Sequence, residues 1–336
     1  MTAGSTPLLS VVVPTLGIEA RVTPFLDALG RQTLPRERWE LIAAFDGARA
    51  SPAIAARLEA LGARSVILEP RQGPPRARNA GVAAARGEYV VSTDDDVVPD
   101  DAWLERIAIR LDDDPSIDVV EGATRKPGGR SVRRAGADEA RQYILCNLVM
   151  RRSLFERVGG FHPGYFEPRT GLFFREDADI GWKLEAAGAH VVRATEVVVT
   201  HPEENPRWLD PLRWTRRYVM DGLLAARFPR EFRERIEVHR FGPLAVRRPI
   251  VRASGMYVLS LALAAILALA GRRDLGVLLL IVAAVCVVPI WAKWRFDLRR
   301  LPVILLVPFG LMWALARGWW RARGIVAADR AAQATR

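Results

Sequence analysis

The 336-residue sequence has only two cysteines, Cys146 and Cys286, so no disulfide framework is implied and a reducing compartment is compatible. It opens without a basic start followed by a signal-like apolar core, so the first domain is expected to stay where it is made. A third scarcity is acidic residues near the end. Residues 1–240 hold 35 Lys+Arg against 35 Asp+Glu, whereas residues 241–336 hold 14 against 3, so the whole net charge of +11 sits in the last stretch. That stretch also carries the uncharged runs Ala253–Gly271, Leu275–Ala292 and Leu301–Ala316. Apolar blocks separated by arginine clusters point to a membrane and away from nucleic acid.

What is present in abundance is alternation. Leu8–Thr15 reads as a buried strand ended by Pro14, Pro24–Arg31 as a helix with Phe25, Leu26 and Leu29 on one face, and Trp39–Phe45 as a second strand closed by the turn Asp46-Gly47. Ser51–Leu61 then reads as a helix and Ser65–Leu68 as a third strand, the order expected of a mostly parallel, doubly wound α/β sheet. Ligands of such sheets lie beyond the carboxyl ends of the strands, where Thr15, Asp46 and Asp94-Asp95-Asp96 fall. The last three end the apolar run Glu88–Thr93. Adjacent carboxylates repel one another, and a divalent cation shared with substrate phosphates relieves them. The same triplet is compatible with capping a following helix. Before it, Gly73-Pro74-Pro75 halts the backbone and Arg76–Arg86 reads as an Ala-rich helix. Arginines near a helix N-terminus oppose the macrodipole but suit an anion site, with Arg78 the preferred ligand.

Val11-Val12-Val13-Pro14-Thr15, Phe45-Asp46-Gly47, Gly73–Gly81 and Gly87–Asp96 resemble, in order and spacing, the family 2 glycosyltransferases of GT-A fold. Asn147–Phe155 with Val158-Gly159-Gly160-Phe161, and Arg175–Leu184 with Gly188, continue the resemblance, which covers about Leu9 to His201. It implies a Rossmann-like sheet flanked by helices and followed by a helical membrane anchor. It further implies that Asp46 bonds the nucleotide base, that Thr15 lines that pocket, and that Arg78 lies near the base or diphosphate. Asp94 would contact the ribose side, with Asp95 beside it, and Asp96 would ligate Mg²⁺ or Mn²⁺ bridging the diphosphate. Asp177, of the pair Glu176-Asp177, would be the general base of an inverting transfer; an N-cap role is the alternative. His201 follows the strand-like Glu196–Thr200, at a sheet edge facing the site or solvent, where some relatives place a metal-binding histidine. Leu16-Gly17 replace the usual aromatic-Asn pair.

The expected organisation is a catalytic domain over residues 1–204, a basic, aromatic-rich helical linker over 205–249, a transmembrane region over 250–320 and a polar tail over 321–336. Two spans are expected at about Arg252–Gly271 and Leu275–Trp291, since roughly 20 apolar residues cross a bilayer core. A third run, Leu301–Trp320, would cross or re-enter. Seven basic residues flank the outer ends of the first two spans and two, Arg272 and Arg273, lie between them. The positive-inside rule then puts the catalytic domain in the cytoplasm and a multi-pass anchor in the inner membrane.

These readings together predict transfer of one sugar from a nucleotide-sugar donor, a UDP-sugar by preference, to a lipid-linked or glycan hydroxyl acceptor beside membrane lipids. Glu204–Trp208 echoes the Gln-x-x-Arg-Trp motif of processive synthases only faintly, with Glu for Gln and an intruding Pro206. A processive synthase and a silent nucleotide-binding scaffold are the alternatives. No Gly-rich, Arg-bearing phosphate loop follows the first strand, which argues against a nucleotidyltransferase. Sugar selectivity would rest on Glu121–Asn147 and on Phe161–Arg175, and the basic run Arg125–Arg134 reads either as a mobile loop that orders over the diphosphate or as disorder.

Overall fold

The computed structural model describes residues 6–127, 131–133, 143–202, 207–241 and 244–334. Residues 128–130 and 134–142 of the selectivity region proposed within 121–147, and part of the synthase-like echo, therefore lie outside the described residues. The chain divides into two units, 1–204 and 205–336.

The first unit is built on one nine-stranded sheet. Its strands are β1 (Leu9–Thr15), β2 (Trp39–Asp46), β3 (Arg64–Leu68), β4 (Tyr89–Thr93), β5 (Val98–Pro99), β6 (Val119–Arg125), β7 (Ser131–Arg133), β8 (Asn147–Arg151) and, after a small hairpin of β9 (Phe166–Glu167) and β10 (Leu172–Phe173), β11 (Val191–Thr200). The order is 3-2-1-4-8-6-11-5 with β7 beside β6. The quartet β3-β2-β1-β4 is parallel, β8 runs antiparallel to both β4 and β6, and β11 returns parallel to β6. The helices are α1 (Glu19–Leu29), α2 (Pro52–Ala60), α3 (Pro74–Ala83), α4 (Trp103–Asp113), α5 (Arg152–Arg157) and α6 (Glu176–Ala186).

Every residue of β1, β2 and β4 is buried, because helices cover both faces of a parallel sheet. Successive side chains of β1 serve opposite cores. Val11 and Val13 join Phe25, Leu26, Ile54, Trp103 and Ile107, whereas Val12 joins Val82, Leu148, Leu154 and Ile180. The edge strand β3 instead alternates between exposed and partly covered positions before Leu68.

Several boundaries differ from the sequence reading for identifiable reasons. Pro14 lies inside β1, paired with Ala44. The β4 ladder stops at Val12, so no partner is lost on that side. Helix α1 begins at Glu19, five residues before the expected start, and holds Pro24 in its interior. Pro74 and Pro75 open α3 instead of preceding it, since the first helical positions need no N–H donor. The Asp triplet caps no helix: α4 starts at Trp103 behind Ala102.

The second unit contains α7 (Asp210–Thr215), a 3₁₀ turn (Arg216–Met220), α8 (Asp221–Arg227), the short α9 (Pro229–Glu231), and a π turn (Phe232–Glu237). A hairpin of β12 (Val238–Phe241) and β13 (Leu244–Arg247) follows, which the sequence did not foretell. Then come α10 (Pro249–Leu269), α11 (Arg273–Lys293), α12 (Leu301–Ile304) and α13 (Val307–Ala334). Three helical stretches, Pro249–Leu269, Arg273–Lys293 and Leu298–Ala332, are long and apolar enough to cross a membrane. Their exposed positions include Leu259, Leu263, Ile266, Leu278, Ile281 and Val285, an outward apolar surface that water would penalise and lipid would not. The helix that carries the last apolar run continues beyond Trp320, through residues of the expected polar tail to Ala334.

Candidate active site

The carboxyl ends of β1, β2 and β4 bring together the groups named from sequence. Thr15, last residue of β1, donates its hydroxyl to Asp95 Oδ2 at 2.7 Å and accepts the N–H of Gly17 at 3.0 Å. Asp95 is buried, and burial pushes its carboxyl up; the Thr15 bond and the Arg21 charge oppose that shift, while Asp96 and Asp94 reinforce it. Asp94 points the other way and binds Nη2 of Arg78. Asp96 faces Arg21 Nη2 at 2.5 Å and His201 Nε2 at 3.7 Å. His201 is reached because its N–H bonds Arg125 O at 2.8 Å just past β11, the β6 neighbour.

Asp46, buried at the end of β2, accepts the N–H of Gln72 at 2.6 Å and that of Gly73 at 2.9 Å. It thereby clamps the loop that opens α3. Arg78, one turn into that helix, is 3% exposed, and its Nε and Nη1 have no hydrogen-bond partner among the described residues. Glu176, in the first turn of α6, is also buried, with Oε2 unpartnered. Burial, then the charges of Asp177 and Asp94, push the Glu176 carboxyl up to about 8 against the pull of Arg78. Asp177 is half-buried beside it and accepts the N–H of Ala178 at 2.7 Å. The helix N-cap is Arg175, with φ of 75°, so Asp177 is not the capping residue.

Three residues were not singled out by sequence reading. Arg21 also reaches Asp95 Oδ1 at 3.5 Å and is the cation that balances the triplet; placing the helix start at Pro24 hid it. Asn147, fully buried, donates to Ala123 O and Val197 O at 2.9 Å each and accepts the Trp103 indole N–H at 2.9 Å, tying β8 to β6 and to the bulge of β11. Lys183 reaches Asp179 at 2.9 Å and Gly160 O at 2.7 Å, fixing α6 to the loop after α5. The partners of Arg21 and Asn147 are distant in sequence, so no local pattern marks them; Lys183 had the i,i+4 spacing to Asp179 as a local signal.

Around this cleft stand five carboxyls, those of Asp94, Asp95, Asp96, Glu176 and Asp177, against two guanidiniums, Arg21 and Arg78. A further cation is electrostatically welcome. Asp96 and His201 offer an oxygen and a nitrogen within 3.7 Å of each other, both partly exposed. Among the described residues, no three or more His, Cys, Asp or Glu side chains are placed to hold a metal ion by themselves. Two protein donors completed by substrate oxygens and water suit Mg²⁺ or Mn²⁺, so the residues fit such an ion.

Residues 10–173 match the glycosyl transferase family 2, and this match together with the glycosyltransferase relatives supports glycosyltransferase activity. Similar proteins include glycosyltransferase AglE of Haloferax volcanii, 25% identical over 214 residues, covering 58% of this chain and 67% of that protein. Putative glycosyltransferase EpsH of Bacillus subtilis is 29% identical over 166 residues, which make up 46% of this chain and 45% of that protein. This chain thus spans less than half of the second relative's length. Among solved structures, mannosyltransferase PcManGT from Pyrobaculum calidifontis, in complex with GDP-Man and Mn²⁺, superposes with a TM-score of 0.54. It is 18% identical and covers 94% of this chain and 88% of its own. That likeness establishes the GT-A fold.

Proposed function

We propose that the protein is a membrane-anchored, metal-dependent, inverting glycosyltransferase that moves a single sugar from a nucleoside diphosphate sugar to a lipid-linked or membrane-proximal hydroxyl. The observation that carries this reading is the facing pair of orphaned buried groups. Arg78 keeps two N–H donors unpaired, and Glu176 keeps an oxygen unpaired, in a cleft whose other walls are acidic. Buried polar atoms are rarely left so unless a ligand satisfies them. Arg78 would meet the anionic diphosphate. Glu176, neutral below about pH 8, would donate to a sugar hydroxyl. Asp46 would hold the loop before α3 and offer its remaining lone pairs to the base, and Thr15 would line that end of the pocket. The described complexes of PcManGT with GDP-Man and of Staphylococcus aureus TarS 1–349 with UDP-GlcNAc support a nucleotide-sugar donor.

Asp96 and His201 would hold Mg²⁺ or Mn²⁺, which when bound neutralises charge on the departing diphosphate. Asp177 takes the acceptor proton as that oxygen attacks the anomeric carbon. The new carbon–oxygen bond forms as the bond to the diphosphate breaks, on the opposite face of the sugar. Asp94 and Arg78, paired with each other, keep the arginine aimed at the donor. Single transfer is favoured over polymerisation because Glu and Pro206 interrupt the synthase-like segment.

The test is nucleoside diphosphate release by detergent-purified protein from UDP-, GDP- and dTDP-sugars with Mn²⁺ or Mg²⁺, with and without membrane lipid extract. Release should need metal and be lost in Asp96→Asn. Asp177→Asn should lower turnover by about 10²–10⁴-fold while still binding donor, the usual worth of a positioned base. Full activity in Asp177→Asn would remove the base assignment. Nucleotide binding with no release under any condition would favour the scaffold.

A further inference from the structure

In the second unit, α8 and α13 cross at two glycines. A Cβ on Gly222 would meet Gly318 O at 2.4 Å, and one on Gly318 would meet Val219 O at 2.5 Å, so the backbones touch there. Beyond the crossing the facing side chains stay small: Ala225 and Ala226 on α8, Ala322, Val326 and Ala327 on α13. The helices cannot close over so little volume, and a cavity of about 560 Å³ remains, within the roughly 300–1,000 Å³ of small-molecule sites.

The lining is graded along α13. Leu315 and Trp319 stand at one end, followed by Arg323 and then Arg330, a rise of roughly 22 Å over fifteen residues. All of these residues lie in the final turns of the membrane-length stretch Leu298–Ala332, where Trp319-Trp320 mark the depth of an interface and the arginines follow it. The Arg323 guanidinium lies 3.5 Å from the Trp319 ring centroid. Arg323 and Arg330 have no acidic partner among the described residues, whereas the third lining arginine, Arg248, is ion-paired with Glu237. Asp221 is the one acidic side chain in the wall, and it is buried.

A cleft apolar toward the bilayer, small-walled in the middle and cationic at the water side is complementary to one kind of occupant. We infer that this cavity binds an anionic phospholipid, its phosphate between Arg323 and Arg330 and the upper part of one acyl chain along Gly222, Leu315 and Trp319. The site is separate from the catalytic cleft, and the inference does not depend on the reaction performed.

The full-length protein in neutral detergent is titrated with fluorescent phosphatidylglycerol, with phosphatidylcholine of the same chains, and with inorganic phosphate as competitor. Saturable binding of phosphatidylglycerol well above phosphatidylcholine is expected. It should weaken about tenfold or more in Arg323→Ala/Arg330→Ala, two charges being removed from a membrane-surface contact. Arg272→Ala/Arg273→Ala, which removes as much charge from the exposed turn between α10 and α11, should change nothing. Ala322→Leu, which fills the cavity and keeps every charge, should also weaken binding, and monodisperse elution checks that each variant is folded. Equal binding of both lipids, equal loss in the Arg272/Arg273 control, or no loss on filling the cavity would overturn the site. Displacement by phosphate at comparable concentration would mean a phosphate site in place of a lipid one.

Discussion

At the residue scale, the cleft stores a group in the wrong charge state for water. Glu176 is raised from an ordinary 4.5 to about 8, chiefly by burial. Between those values the native protein keeps a proton that the unfolded chain has released. Stability therefore falls as pH rises through that window, and the full penalty is present above about pH 8. Glu176→Gln removes the titration. Its melting temperature relative to the parent should rise steadily from pH 5 to pH 8.5, and a gap independent of pH would mean that Glu176 ionises normally. Arg21 makes the complementary case. It neutralises Asp95 and Asp96 from an exposed position, on the flank where a divalent ion would bind Asp96. Arg21→Ala should lower the melting temperature without divalent metal and enlarge the stabilisation that Mn²⁺ confers, because the competing cation is gone. An unchanged Mn²⁺ increment would show that guanidinium and metal do not compete.

At the scale of single elements, the position of Arg78 depends on how closely α3 lies on the sheet. Gly81, one turn further along, faces β1, and a Cβ there would come within 2.4 Å of Val12 Cγ1. Gly81→Ala should cost about 1–3 kcal/mol, the usual price of overpacking, measurable by denaturant unfolding. By lifting α3 it should also raise KM for the donor more than it lowers kcat; the stability loss without the KM change would separate packing from positioning. The Gly-Pro-Pro to Ala-Gly stretch is legible in sequence because its constraints are local: prolines that open a helix, and a glycine where two backbones approach. The buried strands β1, β2 and β4 were legible for the same reason, as short uninterrupted apolar runs. Asn147, Arg21 and the hairpin β12–β13 were not. Asn147 satisfies partners that lie 24 to 50 residues away, and Arg21 meets carboxylates about 75 residues on. Arg247 and Arg248, two of the basic residues counted before the first span, both pair with Glu237 across the base of the hairpin. Composition counts charges but does not show which are already neutralised.

At the scale of the whole molecule, the open matter is which side of a membrane each end of the apolar helices faces. Pairing with Glu237 does not weaken the charge argument, since acidic residues contribute little to orientation. Lys293, which ends α11, and Arg295, Arg299 and Arg300 beyond it stand against Arg272 and Arg273 at the turn where α11 begins. The excess predicts that this turn faces away from the cytoplasm. Both native thiols make the chain suited to a labelling test. Cys146 is fully buried, and burial, followed by the charge of Asp94, pushes its thiol up to about 12, which removes its reactivity; Cys286 is buried within α11. Asp274→Cys, at an exposed position of the turn, should react with a membrane-impermeant maleimide in intact cells. Leu298→Cys, exposed beyond α11, should react only after the cells are permeabilised. The reverse pattern would invert the anchor and carry the catalytic domain away from the compartment where nucleotide sugars are made. Reaction of both without permeabilisation would mean that α11 does not cross, and the apolar helices would then need a protein partner to cover their exposed leucines.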